Sequence, residues 1–552
     1  MLRLLPILAC ALGLLTVFAE PLFSGFAQQS INGHDPRFTE FLFEHSWQWL
    51  RGENARGIFD LPMGYPLRNT LASAEPMLSF GIFYWPFRAL GLSSGASHQL
   101  WLMLLGAVNF GCFFAFTRRG LGFRSVSATA AAMLFAFGLP RVAELGHSQL
   151  WAQPFIVCIA WGMFALLSDG TDLRGRRLGV LAVCTGFVLQ SWGSLYNAIF
   201  VAYACALAGL FTLAYPAWRA RALQSIRDVG GFAAIAIALS LLCVLPLIES
   251  YLAVYNATED WKPEQIAALQ PRLTALFYVW PHSWFYGWLT SPSASSELAP
   301  EFHQQALGLG ALTTGVVLFT LWRHRRDPWV HLTIALFVFM WLPTVMWPGG
   351  WTLWDDLRAI LPGVAPLRAI ARLGLLLLIP ASIALGLFLE EQRTQRARVA
   401  CLVLGALCIL EQGTGVPSYT RPPYDRVVSN IIAEIQPDAE AFYYVGAGLV
   451  PSWYSQIDAI LAAQRSGVPT VNMYSGRYPT SAAPLSHNIS RDPRRLAQLS
   501  AALARWAREH ELDPARIQLI DQNEIRARRG REFEERRSRN EQLPDTQPLR
   551  GS

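Results

Sequence analysis

Residues 4–37 read LLPILACALGLLTVFAEPLFSGFAQQSINGHDPR. Residues 4–27 are nearly all apolar and long enough to cross a bilayer as a helix, which takes about 20 residues. A polar turn follows at Gly33-His34-Asp35-Pro36-Arg37. The next clear apolar span begins only near residue 99. The loop between carries Asp35, Glu40, Glu44, His45, Asp60 and Glu75 among aromatics. A long first loop rich in acids suits chemistry at the water interface better than it suits a simple pore.

Composition sets the class. Hydrophobic residues make up 53% of the 552 residues and charged residues 15%, against about 25% charged in soluble domains. This is the composition of a polytopic membrane protein. The net charge of +6 does not point to nucleic acid, because the arginines fall mostly in short loops and in the C-terminal tail. Lys262 is the only lysine, so there is no Gly-Lys-[Ser/Thr] phosphate loop. The eight cysteines, at 10, 112, 158, 184, 205, 243, 401 and 408, all lie in apolar segments. That placement argues against a disulfide framework or a cysteine zinc site.

Arginine placement decides which runs cross, since short cytoplasmic loops are enriched in Lys and Arg. The clusters are Arg118-Arg119 with Arg124, Arg174-Arg176-Arg177, Arg219-Arg221-Arg227, Arg323-Arg325-Arg326 and Arg393-Arg396-Arg398. Two spans separate each consecutive pair. The expected spans are 4–27, 99–117, 125–141, 150–168, 178–195, 197–215, 229–248, 304–322, 329–347, 372–390 and 398–413, about 11 transmembrane helices. The N-terminus is then cytoplasmic and the C-terminal region external. Residues 77–92 are short and interrupted by Pro86 and Arg88, and are expected to lie at the outer surface as a helix with its apolar side down. Residues 1–27 read as an anchor rather than a cleaved signal peptide, being longer than the usual apolar core of one.

The expected fold class is mainly α, with a small C-terminal α/β domain. Residues 1–413 form the transmembrane domain, with external loops at 28–98 and 250–303. Residues 414–522 form the external domain. There 440–447, 468–474 and 515–520 read as strands and 452–466 as an amphipathic helix closed by Gly467. Asp492-Pro493 opens a second helix. Residues 523–552, rich in Arg, Glu, Gln and Pro, read as disordered.

Several stretches carry a family resemblance. They are HDPRFTEFLFEHSWQWL (34–50), GIFDLPMGYPLRNTLASAEPML (57–78), FGLPRVAELGHSQLWAQ (137–153), LPGVAPLRAIARLGLLLL (361–378) and VPTVNMYSGRYP (468–479). Their order resembles GT-C superfamily glycosyltransferases, in particular a bacterial branch of it. The resemblance covers about residues 1–480 and rests on loose motifs. It implies a GT-C-like first external loop and a sugar donor carried on polyprenyl phosphate. It also implies a glycan, lipid or protein acceptor, contact with membrane lipids, and no nucleic-acid partner. In such enzymes an acidic residue of the first external loop is catalytic, and the matching position here is Asp35. Many relatives carry Asp-Glu at this point. This chain reads Asp35-Pro36, so the resemblance assigns no adjacent second acid.

The chemistry needs a base for the acceptor proton and cations for a phosphate leaving group. Asp35 is the candidate base, and Glu75, in the same loop, is the second catalytic candidate. Arg141, Arg368 and Arg372 at span ends, with His147, His34 and Arg37, are the candidate substrate-binding groups. The leading assignment gives the carrier phosphate to Arg368 and Arg372. His34, Asp35 and Glu75 offer ligands for magnesium or manganese, but no spacing demands a metal. Each residue also has a plainer reading. Asp35 caps a helix, Glu40 and Glu44 face water at i, i+4, Glu75 caps the segment after Pro76, and Arg368 and Arg372 snorkel to any anionic lipid. Two other functions compete with the transferase. A lipid-linked sugar transporter or flippase is disfavoured because the span middles lack charge. A non-catalytic scaffold of envelope assembly is the other. A low-lysine, arginine-rich chain fits a bacterial inner membrane with its active face in the periplasm.

Overall fold

A computed structural model describes residues 4–54, 56–290, 302–391, 394–529 and 531. The chain is mainly helical and folds as two units. The first comprises Met1–Ala55 and Ala74–Arg421, the second Arg56–Ser73 and Pro422–Ser552. The sequence reading placed one boundary near 413 and kept 28–98 together. The contacts instead carry residues 414–421 with the first unit and lift 56–73 out of the first loop into the second.

In the first unit a helix underlies each expected span. Among the described residues seven are long and apolar enough to cross a membrane: Leu5–Phe23, Ser94–Gly120, Ser125–Ala143, Ser148–Leu167, Leu195–Ala214, Pro216–Asn256 and Ile370–Glu390. The chain is a multi-pass membrane protein. Leu173–Gly193, Ala311–Arg323, Pro328–Leu336 and Gln395–Glu411 complete the bundle but are shorter or begin in arginines. Local rules start many of these helices. Proline sits in the first turn of Pro154–Leu167, Pro216–Asn256 and Pro328–Leu336, where its missing N–H costs nothing. Asp172, Ser194, Asp327 and Thr394 accept N-cap hydrogen bonds. Small residues bring helices together. A Cβ on Gly162 would lie 2.6 Å from the Gly179 carbonyl oxygen, so Pro154–Leu167 and Leu173–Gly193 meet backbone to backbone. Pro216–Asn256 runs 41 residues, past the expected end at 248, and leaves Ile235, Leu239, Leu242 and Leu245 exposed, an apolar surface suited to lipid.

Residues 77–92 neither cross nor lie flat as one helix. They form Leu78–Phe83, a 3-10 turn, and the five-residue helix Trp85–Ala89. Pro86 lacks the N–H a longer helix would use. Phe80 and Tyr84 are fully buried, and the Phe80 carbonyl accepts from Trp101 Nε1 at 3.0 Å. Strand β1 (Gln28–Ser30) pairs antiparallel with β2 (Ser418–Thr420), joining the two ends of the unit.

The second unit is a small α/β fold. Strand β3 (Ala441–Val445) lies parallel to β4 (Ile517–Asp521), with single bridges from Phe442 to Thr470 and Gly446 to Ile489. The expected middle strand 468–474 is thus reduced to one bridge. The Asn472 side chain replaces its ladder, accepting from Tyr444 N at 2.7 Å and donating to Tyr444 O at 3.0 Å. Helix Ser452–Ser466 ends at Gly467 with φ +78°, and Asp492 caps Pro493–Glu509. Trp506, Leu499, Leu503 and Tyr443 fill the core. Residues 56–73 are built into it. Gly64 N and Tyr65 N donate to Asn472 O and Thr470 O, each at 3.0 Å, and Trp506 Nε1 donates to Tyr65 O at 2.9 Å. The region expected to be disordered lies outside the described residues at 530 and 532–552. Residues 523–529 are helical instead, with Ile525 buried and Arg528 paired with Glu434.

Candidate active site

Asp35 opens helix Asp35–Leu50, with His34 as N-cap residue and Pro36 in the first turn. An acid there is favoured by the helix N-terminus, and the carboxylate also faces two imidazoles. Its Oδ2 lies 3.5 Å from His34 Nδ1 and 3.5 Å from His147 Nε2. His147 Nδ1 lies 2.8 Å from Glu144 Oε2. The three groups form a graded series, with side-chain exposures of 29% for Asp35, 19% for His147 and 4% for Glu144. An imidazole held by a buried carboxylate on one nitrogen and facing a more open carboxylate with the other is an arrangement that moves protons. Glu144 is absent from the candidates read in the sequence. Its signal is the i, i+3 spacing to His147 within the stretch 137–153.

A second cluster gathers Glu75, Arg372 and Arg368. Glu75 accepts from Leu195 N at 2.7 Å and Tyr196 N at 3.4 Å, so it caps the Leu195–Ala214 helix rather than the segment that follows it. The Arg372 guanidinium stands over the Tyr196 ring at 5.4 Å and that of Arg368 over Trp261 at 4.6 Å. Tyr196 Oη accepts from Arg368 N at 2.9 Å. Both arginines are half-buried. They do not share one helical face, because Arg368 precedes the 3-10 helix Ile370–Leu377 that contains Arg372. The clusters adjoin through Asn197, whose Nδ2 donates to the Gln149 carbonyl at 3.2 Å, two residues from His147.

Burial pushes the Glu75 carboxyl up, ahead of the Leu195 N–H and the Arg372 charge that pull it down, to about 7 from an ordinary 4.5. A raised carboxyl favours the fold fully below about 4.5. That contribution is lost as pH rises to about 7. Thermal midpoints of the detergent-purified protein are expected to fall between pH 5 and 7.5. Glu75→Gln should flatten that difference, and an unchanged slope would refute the assignment.

Two candidates point inward. Arg141 is fully buried, with Nε donating to Phe135 O at 2.6 Å, Nη1 to Leu150 O at 3.2 Å, and its guanidinium 4.5 Å from the Phe135 ring. It ties the Ser125–Phe137 helix end to the turn holding Leu150 and presents no face to a phosphate. Arg37 is buried, with Nη1 to Gly33 O at 3.3 Å. Glu40 and Glu44 do not face water either. Arg421 binds Glu40 through Nη1–Oε2 at 2.5 Å and Nη2–Oε1 at 2.8 Å. Arg88 grips Glu44 with two bonds of 2.8 Å. Among the described residues no three His, Cys, Asp or Glu side chains form a group able to hold a metal ion. Glu75 is committed to a helix N-terminus instead of joining His34 and Asp35 as a ligand set.

No family model matches the chain, and no curated protein matches it in sequence. Among solved structures it is similar to ArnT from Cupriavidus metallidurans in the apo state, at 12% identity over 90% of each chain with TM-score 0.46. It is similar to the same protein bound to undecaprenyl phosphate, at 12% identity over 94% of this chain and 90% of that one, TM-score 0.43. A third is the archaeal oligosaccharyltransferase AglB from Archaeoglobus fulgidus, in complex with an inhibitory peptide and a dolichol-phosphate. There identity is 13% over 85% of this chain and 64% of that one, TM-score 0.42.

Proposed function

We propose that this chain is a GT-C-type membrane glycosyltransferase with Asp35 as general base. It moves a sugar from a polyprenyl-phosphate carrier to an envelope acceptor at the outer face of a bacterial inner membrane. The N-terminus is cytoplasmic and the second unit periplasmic. The observation that carries the reading is the series Asp35–His147–Glu144, open to solvent at Asp35 and buried at Glu144. Asp35 takes the acceptor hydroxyl proton as that oxygen attacks the anomeric carbon. The carbon–oxygen bond to the carrier breaks and the electron pair leaves with the lipid phosphate. Arg368 and Arg372 stand over Trp261 and Tyr196 in the adjoining cluster and receive that charge. Glu75, which titrates near neutrality beside Arg372, can take up a proton when the phosphate arrives.

The test is the lipid-linked and envelope glycan profile of cells carrying wild type, a deletion or Asp35→Asn. The deletion and the Asn variant are expected to lose the same sugar while the Asn protein keeps normal abundance. A wild-type profile from the Asn variant overturns the base assignment.

A further inference from the structure

A groove of about 690 Å³ runs along helix Ala311–Arg323, between it and helices Leu378–Glu390 and Gln395–Glu411. That volume lies within the range of small-molecule sites, about 300–1,000 Å³. Its walls are apolar: Leu312, Gly315 and Phe319 on one helix, Phe388 on the second, Cys401 and Leu404 on the third. The 13-residue helix gives the groove a length of about 20 Å, more than the roughly 15 Å of hydrocarbon in one leaflet. A Cβ on Gly315 would meet nothing within 4 Å, so the groove is open at its middle.

The mouth is charged. Arg323, His324 and Glu391 line it. Arg325 and Arg326 follow in the turn, and Arg398, three residues before Cys401, extends the groove face of its helix by one turn. Glu391 is the acid at the mouth, 2.9 Å from His324 Nε2 and 3.9 Å from Arg323 Nε. The acids nearest in sequence are engaged elsewhere. Glu390 pairs with Arg124 at 2.9 Å, and Asp327 caps the Pro328–Leu336 helix. Arg323 thus stands on the lining at the end of an apolar slot, with Arg398 one turn beyond Cys401.

We infer that this groove binds one anionic glycerophospholipid, its acyl chain along Gly315 and its phosphate at Arg323 and Arg398. The occupant must be an amphiphile, because one end of the site is apolar and the other cationic. The basic end is the cytoplasmic one by the positive-inside bias, and that leaflet carries the anionic lipids. The inference is independent of the Asp35 chemistry.

Native mass spectrometry of the full chain in neutral detergent tests it, with dioleoyl phosphatidylglycerol and dioleoyl phosphatidylcholine as probes. Wild type is expected to hold one phosphatidylglycerol at least about fivefold more tightly than phosphatidylcholine. Gly315→Leu fills the slot, and its added Cβ has room. That variant should lose the tight lipid with an unchanged melting point. The double variant Arg323→Gln/Arg398→Gln should keep a lipid but lose the preference, and it carries the test if Gly315→Leu fails to fold. Equal affinity of wild type for both lipids, or an unchanged preference in the double variant, overturns the inference. So does tight binding that survives Gly315→Leu.

Discussion

Arg421→Met is expected to lower the stability of the first unit by about 3–5 kcal/mol, the cost of removing one partner from a buried ion pair. The Glu40 side chain is 2% exposed, and both its oxygens are taken by the Arg421 guanidinium. Burial alone would raise the Glu40 carboxyl. The Arg421 charge and its two hydrogen bonds override that and hold it at about 2. A depressed carboxyl contributes stability above its unfolded value of about 4.5 that is lost as pH falls toward 2. The variant should therefore differ from wild type most at neutral pH and least in acid. Two local features show how specific the seat is. Arg421 Nη1 also donates to Gln29 Oε1 at 3.1 Å, and a Cβ on Gly95 would lie 2.0 Å from that same nitrogen. Gly95→Ala should consequently reproduce much of the loss without touching a charge.

The consequence reaches Asp35. The pair joins helix Asp35–Leu50 to residue 421, and strands β1 and β2 join the residues just before Asp35 to those just before 421. Hydrogen exchange over residues 28–50 should rise in Arg421→Met. The companion Glu40→Leu/Arg421→Met, which removes both charges together, should recover part of the stability. Thermal unfolding in detergent reads all three variants against wild type. A loss below about 1 kcal/mol in Arg421→Met would show that the pair is solvated and the clasp unimportant.

What was legible in the sequence followed from local rules. Long apolar runs bounded by arginines became helices, the run 77–92 interrupted by Pro86 did not form one helix, and Gly467 and Asp492-Pro493 ended and began helices where they stand. What was not legible depends on partners far along the chain. Glu40 and Glu44 have the i, i+4 spacing of a solvated face, yet Arg421 and Arg88 bury them. Residues 56–73 carry no helical or alternating pattern that would place them, and Pro62, Gly64 and Tyr65 hydrogen-bond to residues 470 and 472 instead. Arg141 and Arg372 look alike beside spans, but Arg141 lies among the backbone carbonyls of Phe135 and Leu150 and Arg372 against Tyr196 and Glu75. Glu144 escaped notice because its role exists only once His147 is seen to turn toward Asp35.

Asp35→Asn is expected to lower transfer by about 10²–10⁴-fold, the usual contribution of a positioned general base. The amide has nearly the shape of the carboxylate but cannot accept and keep the acceptor proton. Its cost to the fold should stay near the 0.3–1 kcal/mol of an acid lost from a helix first turn, where Asp35 stands. Glu144→Gln separates the base from its support. The Gln oxygen can still accept from His147 Nδ1, so the ring keeps its orientation, but the buried negative charge behind it is gone. Its effect should fall on kcat, be smaller than that of Asp35→Asn, and leave KM near wild type, because Glu144 is 4% exposed and sits behind His147. Arg372→Gln should do the reverse, raising KM for the carrier, since its guanidinium lies in the adjoining cluster over Tyr196. If Asp35→Asn retains more than about a tenth of wild-type transfer, the proton goes elsewhere. If Glu144→Gln instead raises KM with kcat intact, the Asp35–His147–Glu144 series binds substrate and does not move protons.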